Sequence, residues 1–248
     1  MSAKEKHDLT DKLYAAACAG DLQHIRLLLS LGAPVNGVTV VDGLYEAFKP
    51  AKSGRLSPLA GAATYGNIEA CGLLLEEGAL INPDVNQSSS SPLHQACHSD
   101  DVATAQYLLA AGADVNLQNC YKTTPLMYGV KYGSPALVAL LLSYKPDLSV
   151  LSFISSAAIH WAVWRYNKTD CLELVLEAGA DPNHPLTDGS TPLHCAALSE
   201  LPAVAKCLLQ YGADPERRNE EWKTPLQVAE ENGHEQTAAV LREIMAQR

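Results

Sequence analysis

An all-α solenoid of repeated helix pairs is the fold class this sequence predicts, and three observations carry it. Laid on itself, the chain shows near copies at Ser91-Pro92-Leu93-His94-Gln95-Ala96 and Thr191-Pro192-Leu193-His194-Cys195-Ala196. Shorter versions stand at Ser57-Pro58-Leu59, Thr124-Pro125-Leu126 and Thr224-Pro225-Leu226, and degenerate ones begin at Asp11 and Ala157. Successive anchors are 46, 34, 33, 33, 34 and 33 residues apart, so only the first interval departs from a fixed period. A second landmark follows at constant distance: Gly32-Ala33-Pro34-Val35-Asn36, Gly78-Ala79-Leu80-Ile81-Asn82, Gly112-Ala113-Asp114-Val115-Asn116, Gly179-Ala180-Asp181-Pro182-Asn183 and Gly212-Ala213-Asp214-Pro215. The fourth copy departs, with Lys145-Pro146-Asp147 there.

Each landmark has a local physical reason. Serine or threonine at the anchor caps a helix by accepting a backbone N–H, and proline after it sits where no N–H is needed. Gly20, Gly66, Gly133 and Gly233 fall where that first helix must stop, a position that favours left-handed backbone. A second helix follows, with apolar residues such as Ile25, Leu28 and Leu29, or Val102, Leu108 and Leu109, at helical spacing. The Gly-Ala-Asp landmark then leads into a hairpin-like finger. A single helix pair cannot bury its own apolar stripe, so pairs must stack. Residues 1–8 are expected to be a polar tail and residues 9–245 a single domain. The first unit lacks the Thr-Pro start and reads as one cap. Glu230, Glu231, Glu235 and Arg242 mark the last unit as the other.

Composition agrees. The 248 residues are 47% hydrophobic and 19% charged, with only 6% aromatic content, a globular and helix-prone mixture. A formal charge of −10 without any Lys/Arg-rich window argues against nucleic acid as a partner. The first ten residues carry no apolar signal core, and no stretch approaches the roughly 18 apolar residues of a spanning helix. A monomer in the cytoplasm or nucleus, without membrane insertion, is the expectation. Seven cysteines without paired spacing fit buried thiols rather than a disulfide framework.

These repeated motifs closely resemble the ankyrin repeat, with its T-P-L-H-x-A signature and 33-residue period, over roughly residues 9 to 245. The resemblance implies that finger tips and the ends of the first helices line a concave groove that meets a partner. By register, the two positions before the inter-helix turn are Thr64 and Tyr65, His98 and Ser99, Lys131 and Tyr132, and Trp164 and Arg165, with Tyr166 added in the fifth unit. The tips contribute Tyr121, Phe153, Ile154 and Trp222. Tyrosine, tryptophan and arginine at positions expected to face solvent point to binding hot spots. Packing on an adjacent repeat is the alternative for any one ring.

The long first interval adds residues to the finger spanning 37–56, including Tyr45, Phe48, Lys49, Lys52 and Arg55. Such insertions map to one face and often carry function, though a loop folded back over the first repeats explains the same residues.

Signals of chemistry are weak. His94, Cys97, His98 and Cys195 lack the four-ligand spacing of zinc, and the resemblance gives His94, His160 and His194 a turn-fixing role. Cys71, Cys171 and Cys207 fall on second-helix packing positions, and phosphate-loop, dinucleotide and H-E-x-x-H motifs are missing. No cofactor, metal or enzymatic activity is expected. A phosphate on the Ser88-Ser89-Ser90-Ser91 run would sit at a helix N-terminus, which tolerates negative charge. Asn116 resembles the asparagine that oxygen-dependent hydroxylases modify in some ankyrin proteins, but a locally bonded turn asparagine explains it more simply.

The expected function is a protein-binding adaptor or scaffold whose partner protein or peptide is basic or of mixed charge. The alternatives are substrate recognition for a ubiquitin ligase, as in ankyrin proteins with a SOCS box, and inhibition of a kinase or transcription factor. With the last repeat reaching almost to Arg248, a cullin-contacting box is not expected, which ranks the ligase reading second.

Overall fold

The computed structural model describes residues 2–41, 54–84, 89–165 and 168–246. Among them are fourteen helices, and the chain divides into two compact units, Met1–Gly133 and Ser134–Arg248.

The first unit holds α1 (Ala3–Ala19), α2 (Leu22–Ser30), α3 (Pro58–Thr64), α4 (Ile68–Glu76), α5 (Pro92–His98), α6 (Val102–Ala110) and α7 (Pro125–Tyr132). Here α3 packs between α1 and α5, and α5 packs on α7. The second unit holds α8 (Pro135–Ser143), α9 (Ala158–Val163), α10 (Asp170–Glu177), α11 (Pro192–Leu198), α12 (Pro202–Gln210), α13 (Pro225–Glu231) and α14 (Glu235–Ala246). In it α11 lies between α9 and α13, and α12 packs on α14. Apart from α1, the helices that open on the anchors run only six to eight residues and bury many alanines. Leu59, Ala60, Ala62 and Ala63 of α3 are all fully buried, which lets neighbouring helices approach closely.

The helix starts follow the anchors. Hydroxyls of Ser57, Ser91, Thr124 and Thr224 accept from the backbone N–H of Ala60, His94, Met127 and Gln227 at 3.2–3.4 Å. Ala157 has no hydroxyl to offer. Only the reciprocal half of its cap survives, with its N–H donating to His160 Nδ1 at 3.3 Å.

Three details differ from the sequence expectation. Residues 3–8 are helical, because Ser2 and Glu5 form a capping box that starts α1 well ahead of Asp11. Gly133 is extended (φ −84°, ψ 171°), not left-handed. Pro135 holds Ser134 extended (φ −78°, ψ 162°) as the cap that opens α8, and Gly133 before it is extended as well, so α7 runs on to Tyr132 without a left-handed turn. Conversely, Asp100 and Glu200 take the left-handed position without being glycine, at φ 55° and 51°. The extended first finger also carries a little sheet: β1 (Thr39–Val41) pairs antiparallel with β2 (Gly54–Leu56), Val40 opposite Arg55.

Two polar devices tie consecutive repeats together. Asn36, Asn82 and Asn183 each donate from the side-chain amide to a glycine carbonyl of the next repeat: Gly78, Gly112 and Gly212, at 3.0–3.1 Å. Their Oδ1 atoms accept from Leu80, Asp114 and Asp214 N–H at 2.7–2.9 Å. The signature histidines do the same for the fingers. His94 Nε2 meets the Thr123 carbonyl and His194 Nε2 the Lys223 carbonyl, both at 2.9 Å. A carbonyl only accepts, so Nε2 carries the proton in both.

Candidate interaction site

Among the described residues, the ends of the first helices and the finger tips carry the side chains that the resemblance assigns to contact. In the first unit Tyr65 caps α3 and is 65% exposed. His98, the last residue of α5, is exposed but not isolated: its ring stands edge-on to Tyr132 at 4.8 Å and to Tyr128 at 5.9 Å. Lys131 Nζ lies 5.1 Å from the centre of the Tyr132 ring. Lys131 and Tyr132 are therefore half-buried, and Tyr132 spends part of its surface joining its repeat to the one before. Tyr121 is also half-buried, its N–H held by Asn119 Oδ1 at 2.9 Å.

In the second unit Phe153 is 74% exposed, and Ile154 and Trp222 are exposed finger-tip residues as well. Trp164 caps α9 and is half-buried, its ring inclined against Trp161 and His160. Arg165 corrects the expectation of a solvent-facing cation. Its side chain is only 13% exposed, because Nη1 donates to Cys171 Sγ at 3.0 Å and Nε lies 4.0 Å from Asp170. Two residues from the signature histidine's helix end, the chain thus turns this guanidinium toward the start of α10. Tyr45, Phe48, Tyr166 and Ser88 lie outside the described residues. Ser90 and Ser91 are buried, and Asn116 is bonded locally, its N–H to Asp114 Oδ1 at 2.8 Å.

A cleft of about 270 Å³ opens in the second unit between the ends of α9, α11 and α13 and the two fingers beside them. Trp164, Leu186 and Leu198 give it apolar walls; Asp188, Glu221 and Glu231 give it carboxylates. Lys223 Nζ sits between Glu221 (2.8 Å) and Glu231 (2.7 Å). Asp188 is fixed by Ser190, whose N–H and hydroxyl both donate to it at 3.0 Å. The sequence places Trp164 among the contact positions and Glu231 in the polar cap of the last unit, and marks no other lining residue as a contact. The same helix-end register, carried on through the sixth and seventh repeats, lands on Leu198 and Glu231 and would have found them.

Burial pushes the Cys195 thiol up to about 12 and Cys71 to the same value, so neither is a thiolate nucleophile at neutral pH. His94 and His160 are fully buried, and burial lowers both to about 4. His160 differs from its counterparts: Nε2 has no hydrogen-bond partner among the described residues, and the His184 ring stands edge-on at 5.8 Å. No group of three or more metal-ligating side chains occurs among the described residues, and no described helix is long and apolar enough to cross a membrane.

Paired helices, capped by Ser/Thr-Pro and clamped finger to finger by asparagine and histidine, define a helix-pair repeat protein. Residues 59–152 and 159–247 match the family description "Ankyrin repeats (3 copies)", and the chain belongs to the ankyrin-repeat family. It resembles the nuclear factor NF-kappa-B p105 subunit of Gallus gallus, with 31% identity over 65% of this chain and 18% of that protein. A shorter stretch, 44% of this chain, is 36% identical to 4% of the E3 ubiquitin-protein ligase Ufd4 of Drosophila melanogaster. The chain thus spans less than a fifth of either relative. Among solved structures, the ankyrin repeat domain of human ASB11 superposes with a TM-score of 0.71 at 28% identity, covering 93% of this chain and 96% of that one. Ankyrin repeats are protein-interaction modules, and this chain carries the module.

Proposed function

We propose that the chain is an adaptor that holds a partner polypeptide against its helix ends and finger tips, without chemical turnover. Trp222 carries this reading. At the equivalent tip position three other fingers place Lys122, Ser155 and Gly189, all with positive φ; the last finger places an indole there at φ 61° and leaves it 75% exposed. A bulky side chain in left-handed backbone costs roughly 1–2 kcal/mol, and Trp222 recovers little of it by burial within its own chain. Contact with another molecule supplies the missing return. A net charge of −10 favours a partner of basic or mixed charge.

The test is affinity capture with the chain and its Trp222→Gly variant. Partners retained by the parent and lost by the variant, with thermal stability unchanged or raised, support the reading; identical capture by both removes its main support. A second reading, substrate recognition for a ubiquitin ligase, draws on the likeness to Ufd4. Ubiquitin transfer to a captured partner, dependent on the repeats, is what it requires.

A further inference from the structure

Resting on the adaptor reading, we propose that the cleft of the second unit receives one arginine side chain from an extended basic segment of the partner. Its volume, about 270 Å³, lies below the usual range for small-molecule pockets and suits a single long side chain. Charge selects the occupant. Asp188, Glu221 and Glu231 face one ammonium, Lys223, which Glu221 and Glu231 already share. The remaining lining groups add no positive charge: His194 donates from Nε2 to the Lys223 carbonyl, burial lowers its pKa, and the Cys195 thiol stays protonated. The cleft keeps an excess of carboxylate beside apolar walls.

Those walls favour arginine over lysine. A guanidinium is planar, weakly hydrated and five-fold donating; it stacks on an indole such as Trp164 while forking onto carboxylates. Its aliphatic stem covers apolar surface, and Leu198, 57% exposed on the end of α11, offers that surface. Glu221 and Glu231 are well exposed, with side chains 69% and 54% accessible, so both can turn from Lys223 toward an incoming cation. Asp188, pinned by Ser190, is the fixed point against which the guanidinium registers.

The experiment is a ¹H–¹⁵N NMR titration of the whole chain with N-acetyl-arginine amide, N-acetyl-lysine amide and the neutral isostere N-acetyl-citrulline amide. The arginine probe is expected to move the Trp164 indole N–H and the backbone signals of Leu198 and Asn232 with millimolar affinity. The lysine probe should act more weakly and citrulline hardly at all. Replacing both exposed carboxylates (Glu221→Gln with Glu231→Gln) should weaken the arginine probe by about five-fold or more. Equal shifts from citrulline, shifts centred elsewhere, or an unaltered response in the double variant overturn the proposal; the citrulline comparison holds even if that variant folds poorly. Partner capture by the parent and the double variant separates the two readings. Equal capture by both keeps the adaptor and removes the arginine cleft. Capture by neither, with the arginine probe still bound at Trp164, keeps the cleft chemistry and removes the adaptor.

Discussion

His94 donates through Nε2 to the carbonyl of Thr123, 29 residues away, while its Nδ1 lies 2.7 Å from the Ser91 hydroxyl. One imidazole thereby closes the cap of its own helix and anchors the finger leading to the next. A carbonyl cannot donate, so Nε2 carries the proton, and in the neutral ring Nδ1 is left to accept from the Ser91 hydroxyl.

The first prediction concerns pH. Burial lowers the His94 pKa from 6.5 to about 4, so between those values the unfolded chain binds a proton that the folded chain refuses. The stability it contributes is complete above pH 6.5 and is lost as pH falls toward 4, by roughly 3 kcal/mol at most. Urea midpoints measured from pH 7.5 to 4.5 should fall in that window, and His94→Gln should flatten the slope while lowering the plateau. A slope equally steep in the variant would assign the acid loss to other groups.

Asn82 tests the finger clamp. Asn82→Ala removes a bond to the Gly112 carbonyl and one from the Asp114 N–H, at sites open to water, so the loss should be about 1–2 kcal/mol. Hydrogen exchange should quicken at Asp114 more than in the α3 core. Uniform acceleration across the unit would mean that the clamp acts globally.

A contrast between two glycines separates backbone strain from steric contact. Gly66 and Gly78 both have positive φ, 71° and 87°, but a Cβ on Gly66 would strike the Asp101 carboxylate, whereas one on Gly78 would meet open space. Gly78→Ala should therefore cost about 1 kcal/mol, the left-handed penalty alone. Gly66→Ala should cost clearly more, since Asp101 also caps α6 through the Thr104 N–H at 3.0 Å. Equal losses in thermal unfolding would show that Asp101 moves aside freely.

Ala157 offers a gain. It occupies the anchor position that Ser57, Ser91, Thr124 and Thr224 fill with a capping hydroxyl. Ala157→Ser should stabilise the protein by about 1 kcal/mol, read as a raised denaturation midpoint. A lowered midpoint would show that the buried site has no room for the oxygen.

The features written into short stretches of sequence were legible from it: the period, the Ser/Thr-Pro helix starts, the second-helix stripes and the family. Capping and helical periodicity act over a few residues, so a local pattern determines them. Gly133 departs from the left-handed expectation at the junction where Pro135 holds Ser134 extended to open the next helix. What tertiary structure alone decided is where side chains spend their surface. Arg165 bonds into α10, Tyr132 leans on His98, and Trp164, Leu198 and three carboxylates from separate repeats share one cleft. Those outcomes depend on distances between residues tens of positions apart, which repeat register narrows to a face but only packing converts into contact, burial and charge.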